Sequence, residues 1–307
     1  MIDIKGTGVA LATPFRKDSS VDYDALARLV DYQIERGVEY IVVLATTGEA
    51  VTLTPRERAD VTRFVAEHAA GRIPLVLGMS SNATGALVEQ LHQTDFTGYS
   101  AILSVVPYYN RPGQEGIRAH FSAVAEASPL PVILYNVPSR TGANMDTATT
   151  LTLAHDFPGQ IIGVKEASGR IGQIREIIER RPAGFRVLSG DDALTGFGVF
   201  RGDEALPLPL IAMGAEGVIS VIANALPDRF SRMTRLALAG QFAEAGVIDR
   251  PLQPLYRALF ADGNPAGIKS LLNIMGLAED VLRLPLVPVT AATRQALADS
   301  LAALPRL

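Results

Sequence analysis

The sequence predicts a (β/α)₈ TIM barrel followed by a C-terminal helical domain. Eight short runs rich in β-branched residues recur at spacings of about 24 to 34 residues, the size of one βα unit. Amphipathic stretches with helical spacing separate these runs. The strand signal stops near residue 225, and only helical patterns follow. We therefore expect a barrel over residues 1–225 and a helical domain over residues 226–307.

The candidate strands are nearly continuous apolar runs, as expected of parallel strands that helices cover on both sides. In chain order they span 9–13, 40–44, 74–78, 101–106, 132–135, 161–165, 185–188 and 217–221. A doubly wound open sheet is the alternative. The glycines at Gly6 and Gly8 precede a strand, however, and the third glycine of a dinucleotide-binding fingerprint is missing. The pattern favours the barrel.

The helices between the strands begin with recognisable signals. Asp22 can cap a helix whose apolar face includes Leu26 and Leu29, and Thr54 with Pro55 opens the next helix. In the C-terminal domain, helical patterns cover 227–238, 241–248, 252–260, 266–275 and 291–303.

Composition excludes several classes of function. The 28 Lys and Arg residues against 32 Asp and Glu residues give a net charge of −4, which makes nucleic acid an unfavourable partner. The chain has no cysteine, so disulfides and a cysteine nucleophile are excluded. The apolar runs are far shorter than the roughly 20 residues of a membrane span. Because no cleavable signal is evident near the N-terminus, we expect a cytoplasmic protein without a membrane segment.

Reactive side chains follow the predicted strands, at the barrel end where such enzymes place their chemistry. Lys165 ends an apolar strand, an environment that favours a neutral amine able to form a Schiff base with a ketone. The alternative is a solvated lysine paired with Glu166. The four histidines stand singly in helical stretches, so we expect no metal site.

Other strand ends supply groups for proton transfer and for anion binding. Tyr135 and Tyr109 are candidate proton relays, and Thr46-Thr47-Gly48 is a candidate carboxylate-binding turn. Arg140 could bind a second carboxylate through its planar guanidinium. Taken singly, each also fits a structural role as a rim tyrosine, a tight turn or a solvated arginine.

Three motifs in order give the chain its family resemblance: Ala45-Thr46-Thr47-Gly48-Glu49, Tyr135-Asn136-Val137-Pro138-Ser139-Arg140-Thr141-Gly142 and Gly163-Val164-Lys165-Glu166-Ala167-Ser168-Gly169. With these motifs the chain resembles the dihydrodipicolinate synthase and N-acetylneuraminate lyase family over essentially its whole length. Supporting matches are Pro107-Tyr108-Tyr109-Asn110-Arg111-Pro112, Ser189-Gly190-Asp191-Asp192, Gly217-Val218-Ile219-Ser220 and Asn264-Pro265.

The resemblance implies a class I aldol condensation of pyruvate with L-aspartate-4-semialdehyde, in lysine and diaminopimelate biosynthesis, without a cofactor. It implies Lys165 as the Schiff-base lysine and Tyr135 as the proton donor and acceptor. Thr47 and a Tyr109 donated by a neighbouring subunit complete the relay, so a homotetramer, a dimer of dimers, is expected. The implied substrate-binding residues are Thr46, Thr47, Arg140, Gly190 and Ile219.

Two alternatives stay open at this point. One is another pyruvate-dependent aldolase, such as an N-acetylneuraminate lyase or a 2-keto-3-deoxy sugar acid aldolase, and the other is a barrel without catalysis. Both stay open because a local duplication alters the region of strand seven: residues 196–206 repeat much of the sequence of residues 184–194. We expect the first copy to form strand seven and the second to loop out over the active face.

Overall fold

The computed structural model describes residues 3–190 and 207–306, and it confirms the predicted (β/α)₈ barrel. Eight parallel strands close on themselves in chain order, with β8 paired to β1. The strands are β1 (Gly6–Ala10), β2 (Tyr40–Val43), β3 (Leu75–Gly78), β4 (Tyr99–Val105), β5 (Val132–Asn136), β6 (Ile161–Glu166), β7 (Arg186–Gly190) and β8 (Gly217–Ser220).

Helices surround the barrel and then form the C-terminal region. Those of the barrel are α1 (Tyr23–Glu35), α2 (Pro55–Ala69), α3 (Thr84–Gln93), α4 (Gln114–Ala127), α5 (Pro138–Thr141), α6 (Thr147–Asp156), α7 (Ile171–Arg180) and α8 (Pro207–Ala212). The C-terminal helices are α9 (Pro227–Leu238), α10 (Phe242–Asp249), α11 (Gln253–Ala261), α12 (Ala266–Ile274) and α13 (Ala291–Ala302).

The first strand lies about three residues earlier than its apolar run indicated. Thr7 and Gly8 already pair with β8, so the ladder begins before residue 9. The strand ends early because the side chain of Asn224 hydrogen-bonds the backbone groups that would continue the ladder. Its Oδ1 accepts from the Ala12 amide at 2.9 Å, and its Nδ2 donates to the Ala10 carbonyl at 2.8 Å.

In the duplicated region, the first copy, residues 184–194, supplies strand seven. Residues 186–190 form β7, in register with β6 on one side and β8 on the other. The expected position of strand seven is therefore confirmed. The second copy, 196–206, and the acidic pair Asp191-Asp192 lie outside the described residues.

The C-terminal helices pack directly on the barrel wall. One apolar cluster joins residues of β1, β2, α1 and α2 to residues of α9, α11 and α12, including Phe230, Leu255 and Leu271. The interior of the barrel is a second cluster that includes Tyr40, Leu103 and Ile133. The boundary at residues 225 and 226 stays a prediction. Within the described ranges, no helix combines the length and the apolar character that crossing a membrane requires.

An ion pair between Arg283 and Glu57 also ties the C-terminal region to α2. Arg283 donates to one Glu57 oxygen at 2.9 Å and to the other at 2.5 Å. These hydrogen bonds hold the pKa of Glu57 at about 2, below its ordinary value of 4.5. A carboxyl whose pKa is lowered by folding stabilises the protein above pH 4.5, and that contribution is lost as the pH falls towards 2.

We therefore expect Glu57→Gln to lower the free energy of unfolding by about 1 kcal/mol at pH 7. The helix cap from Thr54 should persist, since glutamine also serves in a capping box. Urea unfolding between pH 7 and pH 2 measures the difference, which should shrink with acidification. The control is Glu115→Gln, which removes a carboxylate that is 86% exposed. If the difference in the free energy of unfolding between the variant and the wild type does not change with pH, the lowered pKa of Glu57 is contradicted.

Candidate active site

Lys165 and Tyr135 lie side by side inside the barrel, near the carboxyl ends of β6 and β5. They are register partners, and the Lys165 Nζ lies 4.3 Å from the centroid of the Tyr135 ring. Lys165 is 1% exposed and Tyr135 is 2% exposed. The alternative of a solvated lysine is therefore wrong. An amine buried beside a phenol is suited to covalent chemistry with proton transfer at the same place.

Glu166 belongs to a separate polar cluster beside β6. Its carboxylate accepts from the Asn136 side chain at 3.1 Å, from the Gln173 side chain at 3.1 Å and from the Ser168 amide at 2.8 Å. Complete burial raises the pKa of Glu166, and these donors oppose that shift. The cluster joins β5, β6 and α7, and so supports the strand on which Lys165 stands.

The threonine turn, Thr46–Gly48, follows β2 as a single 3₁₀ turn. Thr47 is 1% exposed, and its Oγ1 accepts a hydrogen bond of 3.1 Å from the Asn264 side chain. The Gly48 carbonyl accepts from the Thr13 hydroxyl at 2.7 Å. A Cβ on Gly48 would lie 3.1 Å from the Leu11 carbonyl oxygen, so the turn lies tightly against the chain that follows β1.

A cavity of about 1110 Å³ opens next to these groups, and Thr46, Tyr108, Tyr135 and Arg140 are among its lining residues. The structure thus brings Thr46, Tyr135 and Arg140 to one space, whereas Lys165 and Thr47 are not among the residues that line it. Arg140 stands exposed on α5, directly after β5.

Tyr109 does not reach this cavity within one chain. It is 89% exposed and adopts a left-handed backbone conformation with φ 72°. Such a conformation is uncommon for a bulky residue.

Gly190 lies against the lysine side chain, and Ile219 lies beside Gly190 on the neighbouring strand. They are register partners at the ends of β7 and β8, and Ile219 is fully buried. A Cβ on Gly190 would lie 2.7 Å from the Lys165 Cε and 2.9 Å from the Ala167 Cβ. Only glycine leaves room there for the lysine in its observed position.

Sequence reasoning missed the groups that hold the threonine turn from outside the barrel. Asn264 comes from the loop after α11, Lys269 from α12, and Glu49 directly follows the turn. The pair Asn264-Pro265 stood out as a motif, but nothing in its spacing indicated a contact with Thr47. Across residues 3–190 and 207–306, no three His, Asp or Glu side chains form a group suited to a metal ion.

The fold and the candidate site define a (β/α)₈ barrel with a lysine buried near the carboxyl ends of its strands. The model of the dihydrodipicolinate synthetase family matches residues 3–304. The chain belongs to this family.

Individual relatives agree with the family match. A 4-hydroxy-tetrahydrodipicolinate synthase from Phocaeicola vulgatus is 56% identical, over 94% of this chain and 93% of that protein. The synthase from Parabacteroides distasonis is 52% identical, over 98% and 97%. A chloride-inhibited dihydrodipicolinate synthase from Acinetobacter baumannii, solved with pyruvate, is 37% identical with a TM-score of 0.90, and the match covers 98% of each chain.

These comparisons confirm the expected fold class, family and enzyme class, a lyase. They give no support to an N-acetylneuraminate lyase, to a sugar acid aldolase or to a barrel without catalysis.

Proposed function

We propose that the chain condenses pyruvate with L-aspartate-4-semialdehyde to give 4-hydroxy-tetrahydrodipicolinate, with Lys165 as the covalent residue. The observation that supports this most strongly is the buried contact between the Lys165 amine and the Tyr135 ring, at 4.3 Å. The names of the relatives agree with the same reaction. Its product serves lysine and diaminopimelate biosynthesis.

The reaction begins at the Lys165 Nζ. The neutral amine attacks the ketone carbon of pyruvate, and loss of water leaves an imine. Removal of a proton from the pyruvate methyl group then gives an enamine. Its carbon attacks the aldehyde carbon of the second substrate, whose oxygen takes up a proton. Finally the amino group of that substrate attacks the imine carbon, so that the ring closes and the Lys165 amine leaves.

The remaining residues bind the substrates and move protons. Thr46 and Thr47 bind the carboxylate of pyruvate, while Gly190 and Ile219 shape the pocket around the imine. Tyr135 transfers the protons, and it exchanges them with solvent through Thr47 and a Tyr109 supplied by a second subunit. The exposure of Tyr109 supports this assignment to an interface. The assembly is a homotetramer, a dimer of dimers, in the cytoplasm.

Arg140, an exposed residue of α5, binds the carboxylate of the aspartate semialdehyde through its guanidinium. Arg140→Ala is expected to raise the KM for this substrate about 10- to 100-fold. This factor corresponds to the binding free energy that one charged hydrogen-bonding interaction contributes. The amount of pyruvate trapped on the protein by borohydride should stay at the wild-type level. Arg140→Lys, which keeps the charge but loses the planar pair of donors, should give an intermediate KM.

A substrate panel tests the activity itself. We expect product from pyruvate with L-aspartate-4-semialdehyde and no cleavage of N-acetylneuraminate or of 2-keto-3-deoxy sugar acids. Efficient cleavage of either sugar acid, with no condensation, would overturn the proposal. An unchanged KM for the semialdehyde in Arg140→Ala would overturn only the role of Arg140.

A further inference from the structure

A buried ion pair joins the residue after the threonine turn to the C-terminal helices. Glu49 directly follows Thr46–Gly48 and is 1% exposed, and its carboxylate contacts the Nζ of Lys269 on α12. Lys269 is also 1% exposed. Neither charge reaches water, so each depends on the other and on the groups around it.

Those surrounding groups hold the pair in one arrangement. The Lys269 Nζ donates to the Val281 carbonyl at 2.9 Å and lies 3.8 Å from the centroid of the Phe15 ring. The second Glu49 oxygen accepts from the Arg283 amide at 3.2 Å. The carboxylate therefore has contacts from two places in the C-terminal region at once.

The backbone at Glu49 shows why such contacts are needed. Glu49 has φ 51°, a left-handed conformation that is strained for any residue other than glycine. Strained backbone persists where the surroundings determine it. The Glu49 amide also closes the threonine turn, because it donates to the Thr46 carbonyl at 3.1 Å. The position of the Glu49 side chain is thus coupled to the shape of the turn.

A second contact reaches the turn from the same C-terminal segment. The Asn264 Nδ2 donates to the Thr47 Oγ1 at 3.1 Å, across 217 residues of sequence. Asn264 lies in the loop between α11 and α12, and Lys269 lies on α12. One short segment, which contains Asn264 and Lys269, therefore contacts both Thr47 and Glu49.

We propose that Lys269, through Glu49, is a positioning residue that holds Thr46 and Thr47 in the geometry that binds the pyruvate carboxylate. This inference rests on the proposed function of the threonine turn. A buried ion pair adds little stability compared with apolar residues of the same volume, which is consistent with a role in fixing geometry. The C-terminal domain is then part of the pyruvate site without touching substrate.

The test compares Lys269→Met, Glu49→Gln and the double variant that combines them. Each single variant leaves one buried charge or polar group without its partner, and should lower the melting temperature by about 5–15 °C. The double variant leaves no unpaired charge, so its melting temperature should recover. Its KM for pyruvate should nevertheless stay raised about 10- to 100-fold, the effect of a displacement near 1 Å at a binding group. The KM for the semialdehyde should not change.

Two further variants, one a second test of the threonine turn and one a control, show whether a change in the KM for pyruvate is specific to the turn. Asn264→Ala removes no charge and should also raise the KM for pyruvate selectively. The matched control is Glu216→Gln, which breaks the pairs with Arg181 and Arg186 before the start of β8, at the opposite end of the barrel. It should lower the melting temperature and leave both KM values unchanged.

The outcomes separate the two proposals. If the double variant recovers both the melting temperature and the KM for pyruvate, the ion pair is only structural and the inference is wrong. The same conclusion follows if every variant raises both KM values alike. If the wild-type protein neither condenses the two substrates nor traps pyruvate, the proposed function itself fails.

Discussion

Lys165→Ala should abolish the condensation, with a loss of kcat of at least about 10³-fold. Removal of a covalent nucleophile eliminates the catalysed route, and losses near 10⁶-fold are known for such residues in other enzymes. The side chain is 1% exposed and lies beside Tyr135. Steady-state rates with both substrates measure the effect.

The control must show that the variant remains folded. Truncation of a fully buried lysine leaves a cavity, so Lys165→Met, which fills the same space, is measured beside Lys165→Ala. Both should lose activity to the same degree, with a cooperative thermal transition retained. Residual activity within about tenfold of the wild type in either variant, far less than the loss of a nucleophile produces, would exclude Lys165 as the covalent residue.

Gly190→Ala should reduce kcat/KM for pyruvate by about 10²-fold. The added Cβ would lie 2.7 Å from the Lys165 Cε and 2.9 Å from the Ala167 Cβ, closer than such atoms approach. The lysine must therefore shift, and a displacement of about 1 Å at a reacting group costs on the order of 10² in rate. Pre-steady-state formation of the pyruvate imine, followed by trapping, identifies the affected step.

A second glycine provides the matched control for this substitution. Gly172 lies on α7 and has nothing within 4 Å of the position where a Cβ would stand. Gly172→Ala should leave kcat unchanged and slightly raise the stability, since alanine favours the helix. A Gly190→Ala protein with wild-type imine formation would show that the pocket tolerates the Cβ, and would remove Gly190 from the site.

The barrel could be predicted from sequence because its strands are buried on both faces. Continuous apolar runs such as 132–135 and 161–165 indicate parallel strands that helices cover on both sides. The missing third glycine near Gly6 and Gly8 then favoured the barrel over a doubly wound sheet. The first strand was misplaced because Asn224, which follows the neighbouring strand β8, supplies hydrogen bonds that end the strand at Ala10. Such a competing side chain leaves no periodic signal.

The residues of the candidate site likewise divide into those that the sequence pattern predicts and those that it does not. Lys165 and Tyr135 stood out because parallel strands bring their carboxyl ends to one edge, which makes strand-end residues neighbours. Asn264 and Lys269 could not be found in this way, since they reach the threonine turn only through the packing of α12 on the barrel. Motif spacing describes neighbours along a strand or helix, and says little about contacts between distant segments.

Borohydride reduction in the presence of pyruvate, followed by intact-mass and peptide analysis, tests the central claim most directly. We predict one reduced pyruvate imine per chain, located on Lys165, and none in Lys165→Ala. A folded wild-type protein that gains no adduct, or that gains it on another lysine, would contradict the assignment of Lys165 and with it the proposed reaction.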